Sequence, residues 1–357
     1  MVEFDLLSSS GGAYQDFRYD LFTDLFGTNF RPYVDEDGHP RIGPAIDLRA
    51  FMSAAATAIL GGSLTTPILN QLQAVAEMPY TSGQSDLLQS RLDQVLDAFR
   101  SRSTPLPQVF QFSSTSQAMD ALNSAMALIE SEIGSWRGTG APLSEERTVV
   151  ASLAHEGYDI SRILDDLTIG ENRSEAWFAI RYQDRSSEEP TAQQAVRRYY
   201  QSSVFELYDD PGAVDFAEAV SVGRTYTALR MHVLPYEDSF DPAQLDVGAL
   251  PSGGQDRIAA LLQPAIAAVA RQYDVEAIRA DELLFVPRGQ TVFQVDDPLD
   301  SFNGSKNDVD LIVGRSSADK ILGGVGQDVL LGLRGRDHLE GGSGDDRLYG
   351  GTGADTL

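Results

Sequence analysis

An aspartate returns at every ninth position along the last stretch of the chain, at Asp310, Asp319, Asp328, Asp337, Asp346 and Asp355. Two positions after each stands an aliphatic residue: Ile312, Ile321, Leu330, Leu339, Leu348 and Leu357. From Gly323 the gaps fill with glycine, as GGVGQDVLL, GLRGRDHLE, GGSGDDRLY and GGTGADTL. Glycines at fixed offsets permit a turn whose carbonyls point inward, which a Cβ would obstruct. One carboxylate and several carbonyls per turn make an oxygen-only donor set, and hard divalent cations that take six to eight oxygens suit it. The aliphatic residue supplies a short strand whose side chain fills a solenoid interior. A glycine-rich acidic linker is the competing reading, and six aspartates and six aliphatics in one register argue against it.

The nonapeptide GGxGxDxUx resembles the repeat of RTX proteins. The resemblance implies a parallel β-roll over residues 303–357 that binds Ca2+ between turns two repeats apart. The pairs are then Asp310 with Asp328, Asp319 with Asp337, Asp328 with Asp346, and Asp337 with Asp355. Gly323, Gly324, Gly326, Gly341, Gly342 and Gly344 belong to the turns that would frame the ions. The first two units are degenerate, with Arg315, Ser316 and Ser317 where glycines are expected, which sets Asp310 and Asp319 apart. The family also implies an extracellular location reached through type I secretion machinery, using a signal beyond the repeats. The sequence stops at Leu357, inside a repeat, so a truncated chain is expected.

A second stretch points to other chemistry. Phe26 to Leu48 reads FGTNFRPYVDEDGHPRIGPAIDL. Gly27, Tyr33, Asp35, Gly38, Ile42, Gly43 and Leu48 stand at the offsets of the active-site hairpin of phage-type lysozymes, which the stretch resembles, including the pesticin-like branch. Arg197 to Phe205 is similar to the same family's RRxxExxLF helix, with Ser202 in place of its glutamate. The resemblance implies a lysozyme-like α+β body directed at peptidoglycan or another cell-surface polysaccharide. It also places the family's general acid at Phe26 and its threonine at Arg41, while Ala45 replaces the second glycine of the turn. Only Asp35 keeps its carboxylate. Glycoside hydrolysis uses two carboxyl groups flanking the bond, about 6.5–9.5 Å apart for inversion, and a phenyl ring cannot protonate a leaving oxygen. Asp24, Glu36 and Asp37 are the carboxylates nearest in sequence. Little or no muramidase activity is expected, and a non-enzymatic calcium-binding adhesin or surface scaffold is the alternative. His155-Glu156 opens like a zinc-protease helix, but position 159 is Asp, so HExxH is absent.

The elements around these stretches read as helical. Residues 1–47 look loop-rich, with one amphipathic segment around Phe17–Phe26. Leu48–Leu60, Pro67–Met78 and the apolar stripes Leu88/Leu92/Leu96 and Met119/Leu122/Met126/Ile129/Ile133 have helical spacing. Further helices are expected over Glu146–His155, Ser174–Tyr182, Thr191–Tyr208 with a Thr191/Gln194 capping box, and Pro211–His232. A helical pair split by Pro264 follows, then short strands at Leu283–Val286 and Val292–Val295. The expected organisation is a mostly α, lysozyme-like body over 1–235, a connecting region over 236–302 and the β-roll over 303–357.

Composition narrows the function. The net charge is -26, and the nine acidic and six basic residues from Ser301 onward account for only three negative charges, leaving about -23 on the body. Such a surface repels phosphate backbones, so no nucleic-acid partner is expected. With no cysteine there is neither a disulfide framework nor a thiol nucleophile. The longest apolar run, near Ala54–Leu60, is too short to span a bilayer.

Overall fold

The computed structural model describes residues 2–8, 12–35, 38–61, 67–79, 84–102, 109–170, 172–182, 191–245, 254–273, 283–285, 292–294 and 311–357. The chain divides into two compact units, one of residues 4–164 and one of residues 1–3 with 165–357. The two stretches that resemble lysozymes fall in different units.

The 4–164 unit opens with helix α1 (Ala13–Phe26), which buries Tyr14, Leu21, Phe22 and Leu25 and ends where Gly27 takes a φ of 73°. A three-stranded antiparallel sheet follows, in the order β1 (Asn29–Val34), β2 (Pro40–Gly43) and β3 (Ile46–Asp47). Residues 1–47 are therefore more ordered than the loop-rich expectation. Their Pro, Asp and Gly punctuation interrupts the alternation by which strands are read. The Asp47 side chain caps α2 (Leu48–Leu60) by accepting from the Arg49 N–H. Next come α3 (Pro67–Ala76), α4 (Ser85–Arg102), α5 (Thr115–Gly134) and α6 (Glu145–His155). The stripe expected on α5 is core, with Leu122, Met126 and Ile133 buried. Glu130 ties α5 to both neighbouring helices, pairing with Arg18 of α1 and with Arg147 of α6 at 2.8 Å. A buried pair of this kind is costly to break because the surviving charge is left without water.

Helix α7 (Ser161–Thr168) crosses the unit boundary, and α8 (Arg173–Tyr182), α9 (Ala192–Phe205) and α10 (Phe216–Ser239) belong to the second unit. The capping box at Thr191 and Gln194 is present. Arg197, Arg198 and Ser202 of the RRxxExxLF-like stretch are buried. Ser202 receives an Arg181 N–H at 3.0 Å, and the Arg181 guanidinium lies 4.4 Å from the Tyr199 ring centre. Helix α10 runs through Pro235 to Ser239, beyond its expected end at His232. Proline there removes one hydrogen bond and costs about 3 kcal/mol. Burial of Val233, Tyr236 and Glu237 around it offsets that cost. The pair α11 (Ile258–Leu261) and α12 (Gln263–Tyr273) places Pro264 in the first turn of α12, where its missing N–H is harmless.

The chain then winds into parallel strands. β4 (Leu283–Phe285), β6 (Leu311–Val313), β8 (Val329–Leu331) and β11 (Arg347–Tyr349) form one sheet in the order β11-β8-β6-β4. β5 (Val292–Gln294), β7 (Lys320–Val325) and β10 (His338–Ser343) form a second in the order β10-β7-β5, and the short β9 (Arg334–Gly335) and β12 (Thr352–Gly353) pair with each other. Strands eighteen positions apart lie side by side, as Leu311 with Val329 and Lys320 with His338. Ile312, Ile321, Leu330 and Leu339 fill the interior with Leu348 packed against them, whereas Leu357 is exposed. Each fully buried aliphatic side chain contributes about 1.5–3 kcal/mol.

Candidate functional site

The winding places the repeat aspartates in two rows, one on each side of the roll. Asp319, Asp337 and Asp355 end the turns after β6, β8 and β11, and Asp328 and Asp346 end those after β7 and β10. Within a row each aspartate touches the next: the Asp319 N–H donates to Asp337 Oδ1 at 2.9 Å, Asp328 to Asp346 at 3.0 Å, and Asp337 to Asp355 at 3.0 Å. Three of the four expected pairs are thus brought together. Asp310, and with it the fourth, lies outside the described residues.

Glycine is required where these turns stack. A Cβ at Gly323 would lie 2.5 Å from Asp328 Oδ2 and 2.6 Å from the Gly341 carbonyl oxygen, and one at Gly332 would lie 2.6 Å from both Asp337 Oδ2 and the Gly350 oxygen. Gly324 and Gly342 take φ of 110° and 102° at the head of their turns, and Gly326 and Gly344 sit further along the same turns. Each cradle therefore gathers a carboxylate oxygen from one turn and a carbonyl oxygen from the turn stacked on it.

The donors in these cradles fit a calcium ion. Asp337 is 1% exposed, and its Oδ2 is buried without a hydrogen-bond partner while Oδ1 is held by Asp319. An ionised carboxylate in that position is costly unless a cation answers it. Burial pushes the Asp337 carboxyl above its usual range, and the Asp319 and Asp355 charges push the same way, against the lowering by the Asp319 N–H. Among the described residues no three acidic or histidine side chains converge as a metal cluster. Backbone carbonyls such as those of Gly341 and Gly350 would supply the remaining oxygens of an ion held there. An RTX calcium-binding nonapeptide family model matches this stretch over residues 306–338 and 322–357, with four copies. Residues 306–357 are RTX calcium-binding repeats. These RTX repeats bind Ca2+, and the bound ion supplies the positive charge that the paired carboxylates lack. No curated protein and no solved structure matches the chain.

In the 4–164 unit, Phe26, Asp35 and Arg41 converge. Arg41 Nε donates to Asp35 Oδ2 at 2.5 Å, and its guanidinium lies 5.4 Å from the centre of the Phe26 ring. Asp35 Oδ1 accepts the His39 N–H at 2.7 Å, so both Asp35 oxygens are engaged. Arg41 is itself anchored, with Nη1 donating to the Ala45 carbonyl at 3.1 Å. Ala45 holds a φ of 64°, a left-handed conformation that a glycine would adopt without strain. The same carbonyl meets His155 Nε2 at 2.8 Å. Burial pushes the His155 pKa down to about 4, so the ring is neutral at pH 7 and donates that proton. Its ring lies against Phe22, Phe26 and Phe51. Asp24 is on α1, and Glu36 and Asp37 lie outside the described residues.

Two participants escape sequence reading. His155 belongs to no complete zinc motif, and its packing behind the hairpin against the Ala45 carbonyl is a tertiary contact. Arg224, on α10, donates to the Gly314 carbonyl at 2.7 Å across ninety positions of sequence, and nothing in its neighbours signals that.

Proposed function

We propose that this is a secreted calcium-binding protein whose roll orders where calcium is plentiful, and whose 4–164 unit binds peptidoglycan or another cell-surface polysaccharide without hydrolysing it. Proteins with RTX repeats are typically exported by type I systems. Extracellular calcium modules bind at about 10⁻⁴–10⁻³ M, so the roll would stay unfolded until it left the cell. No described helix is long and apolar enough to cross a membrane.

The observation that carries the non-hydrolytic reading is the engagement of both Asp35 oxygens, one of them by the Arg41 guanidinium. A general base or nucleophile must present a free oxygen to water or sugar. Here one oxygen is on Arg41 and the other on a backbone N–H, beside a phenyl ring where the acid would stand. The hairpin stands between α1 and α2 as helix, three strands and helix, and its likeness in sequence to the lysozyme hairpin is what supports a saccharide-binding role. The test incubates the full chain with purified peptidoglycan in calcium and follows co-sedimentation and turbidity. Co-sedimentation without clearing is expected. Clearing would overturn the non-hydrolytic reading, and absence of both would remove the polysaccharide from it.

A further inference from the structure

The first described turn of the roll, Gly314–Asp319, is built differently from the others. Arg315 stands where the following turns have Gly324, Leu333, Gly342 and Gly351. Its backbone N–H donates to Asp319 Oδ2 at 2.6 Å, while Nε and Nη2 reach Asp319 Oδ1 at 2.8 and 2.6 Å. Both carboxylate oxygens are thereby taken, and the pair is nearly sealed from water, with Asp319 at 1% and Arg315 at 17% side-chain exposure. At the next rung of the same row, Asp337 Oδ2 has no donor among the described residues. A second guanidinium enters from the helical body, since Arg224 of α10 donates to the Gly314 carbonyl. That carbonyl corresponds in the repeat to those of Gly332 and Gly350, which face the cradle of the turn before them.

We propose that Arg315, seconded by Arg224, replaces the calcium ion that the repeat pattern places between Asp319 and Asp337, so that this turn is closed by guanidinium and calcium binding begins beyond it. The inference rests on the calcium reading of the later turns. A forked guanidinium delivers its positive charge and two donors to one carboxylate. Its fork and the Arg315 N–H take three of the roughly four acceptor positions of Asp319, and an ion placed there would be repelled by the Arg315 charge. On this reading the pair expected from the repeat, Asp319 with Asp337, holds no ion of its own. The two aspartates are neighbours, but the charge between them is already neutralised. Asp337 then serves the ion it shares with Asp355. The turn that α10 holds is consequently set without calcium and gives the later turns a preformed edge on which to stack.

The test counts calcium bound per full-length chain by equilibrium dialysis at saturating calcium, for wild type, Arg315→Gly, Asp319→Asn and Asp337→Asn. The expected result is about one ion more for Arg315→Gly, no change for Asp319→Asn and one ion fewer for Asp337→Asn. Hydrogen exchange in chelator gives an independent reading, with the Arg315 amide protected in wild type and exchanging freely in Asp319→Asn. The inference is overturned if Asp319→Asn loses an ion, or if Arg315→Gly binds the wild-type number while remaining folded. If wild type binds no calcium, the reading of the whole roll fails as well, and the two failures are told apart by that first sample.

Discussion

Three aspartates in two regions of this protein, Asp319 and Asp337 buried and Asp35 largely so, meet their charge in different ways. In the hairpin, Asp35 is answered by Arg41, and in the first described turn of the roll Asp319 is answered by Arg315. In the following turn of that row Asp337 is equally buried, yet one of its oxygens has no protein donor. A carboxylate paired with arginine is part of the fold, whereas one enclosed by carbonyls and other carboxylates requires an ion from solution. The residue type is the same in all three places. What surrounds it decides whether it is structural or functional.

Removal of calcium should separate the regions most sharply. With chelator the later turns lose the ions that neutralise Asp337, Asp346 and Asp355, and the strand content of the roll should collapse while the helices remain. At about 10 mM calcium and a dissociation constant of about 0.1–1 mM, each ion contributes about 1.4–2.7 kcal/mol to the folded roll. Far-ultraviolet circular dichroism of the full chain during a calcium titration checks this. An unchanged spectrum would contradict it.

Breaking the hairpin pair should cost about as much without any dependence on calcium. Arg41→Ala leaves Asp35 Oδ2 without its guanidinium and the Ala45 carbonyl with His155 alone, and removal of one member of a largely buried pair costs about 3–5 kcal/mol. Urea unfolding followed in chelator and in calcium should give the same loss in both. A loss that calcium repairs would place Asp35 with the ion-binding aspartates instead.

The hairpin can also be pushed toward chemistry. Phe26→Glu introduces a carboxyl into apolar surroundings that raise its pKa and favour a general acid, but Arg41 would hold it ionised. Peptidoglycan clearing is therefore expected, if at all, only from Phe26→Glu combined with Arg41→Thr, and general acid catalysis is worth about 10²–10⁴-fold. Clearing by the wild type would show that the acid stands elsewhere.

Acid should affect the two regions through different groups. The Asp337 carboxyl is raised in the folded roll, so what its proton contributes to calcium-free stability is present below the ordinary aspartate value of about 3.9 and is lost as pH rises through the raised value. Calcium competes with that proton, so affinity should strengthen as pH rises across the same window, with proton release seen by calorimetry in buffers of different ionisation enthalpy. His155 is lowered from 6.5 to about 4, so its contribution to the 4–164 unit is present above 6.5 and falls away as pH drops toward 4. His155→Phe should flatten that loss in urea unfolding at a series of pH values. It removes one hydrogen bond, worth about 0.5–1.5 kcal/mol at neutral pH.

Periodicity made the roll legible in the sequence to the level of neighbouring residues. A nine-residue repeat with two strands per coil puts Asp319 beside Asp337 and Ile321 beside Leu339, and the strands pair in that register. The roll's first strands were legible as strands but not as members of it. Leu283 pairs with Leu311, twenty-eight positions on, and no aspartate repeat accompanies it. Helices with an apolar stripe or a cap, such as α2, α5 and α9, were readable because their period and end signals are local. Phe26, Asp35 and Arg41 lie close in sequence on one hairpin and its flanking helix, whereas the Arg41 and His155 bonds to one carbonyl depend on tertiary contacts. Arg315 was visible as a departure from the repeat. Its role as a stand-in for the ion needed the geometry.

The most direct measurement of the central claim is hydrogen exchange along the full chain in chelator and in calcium, resolved by peptide. Calcium should protect the turns 332–337, 341–346 and 350–355, and leave Gly314–Asp319 and the Phe26–Asp47 hairpin unchanged. Equal protection of Gly314–Asp319, or none in the three later turns, would contradict the account.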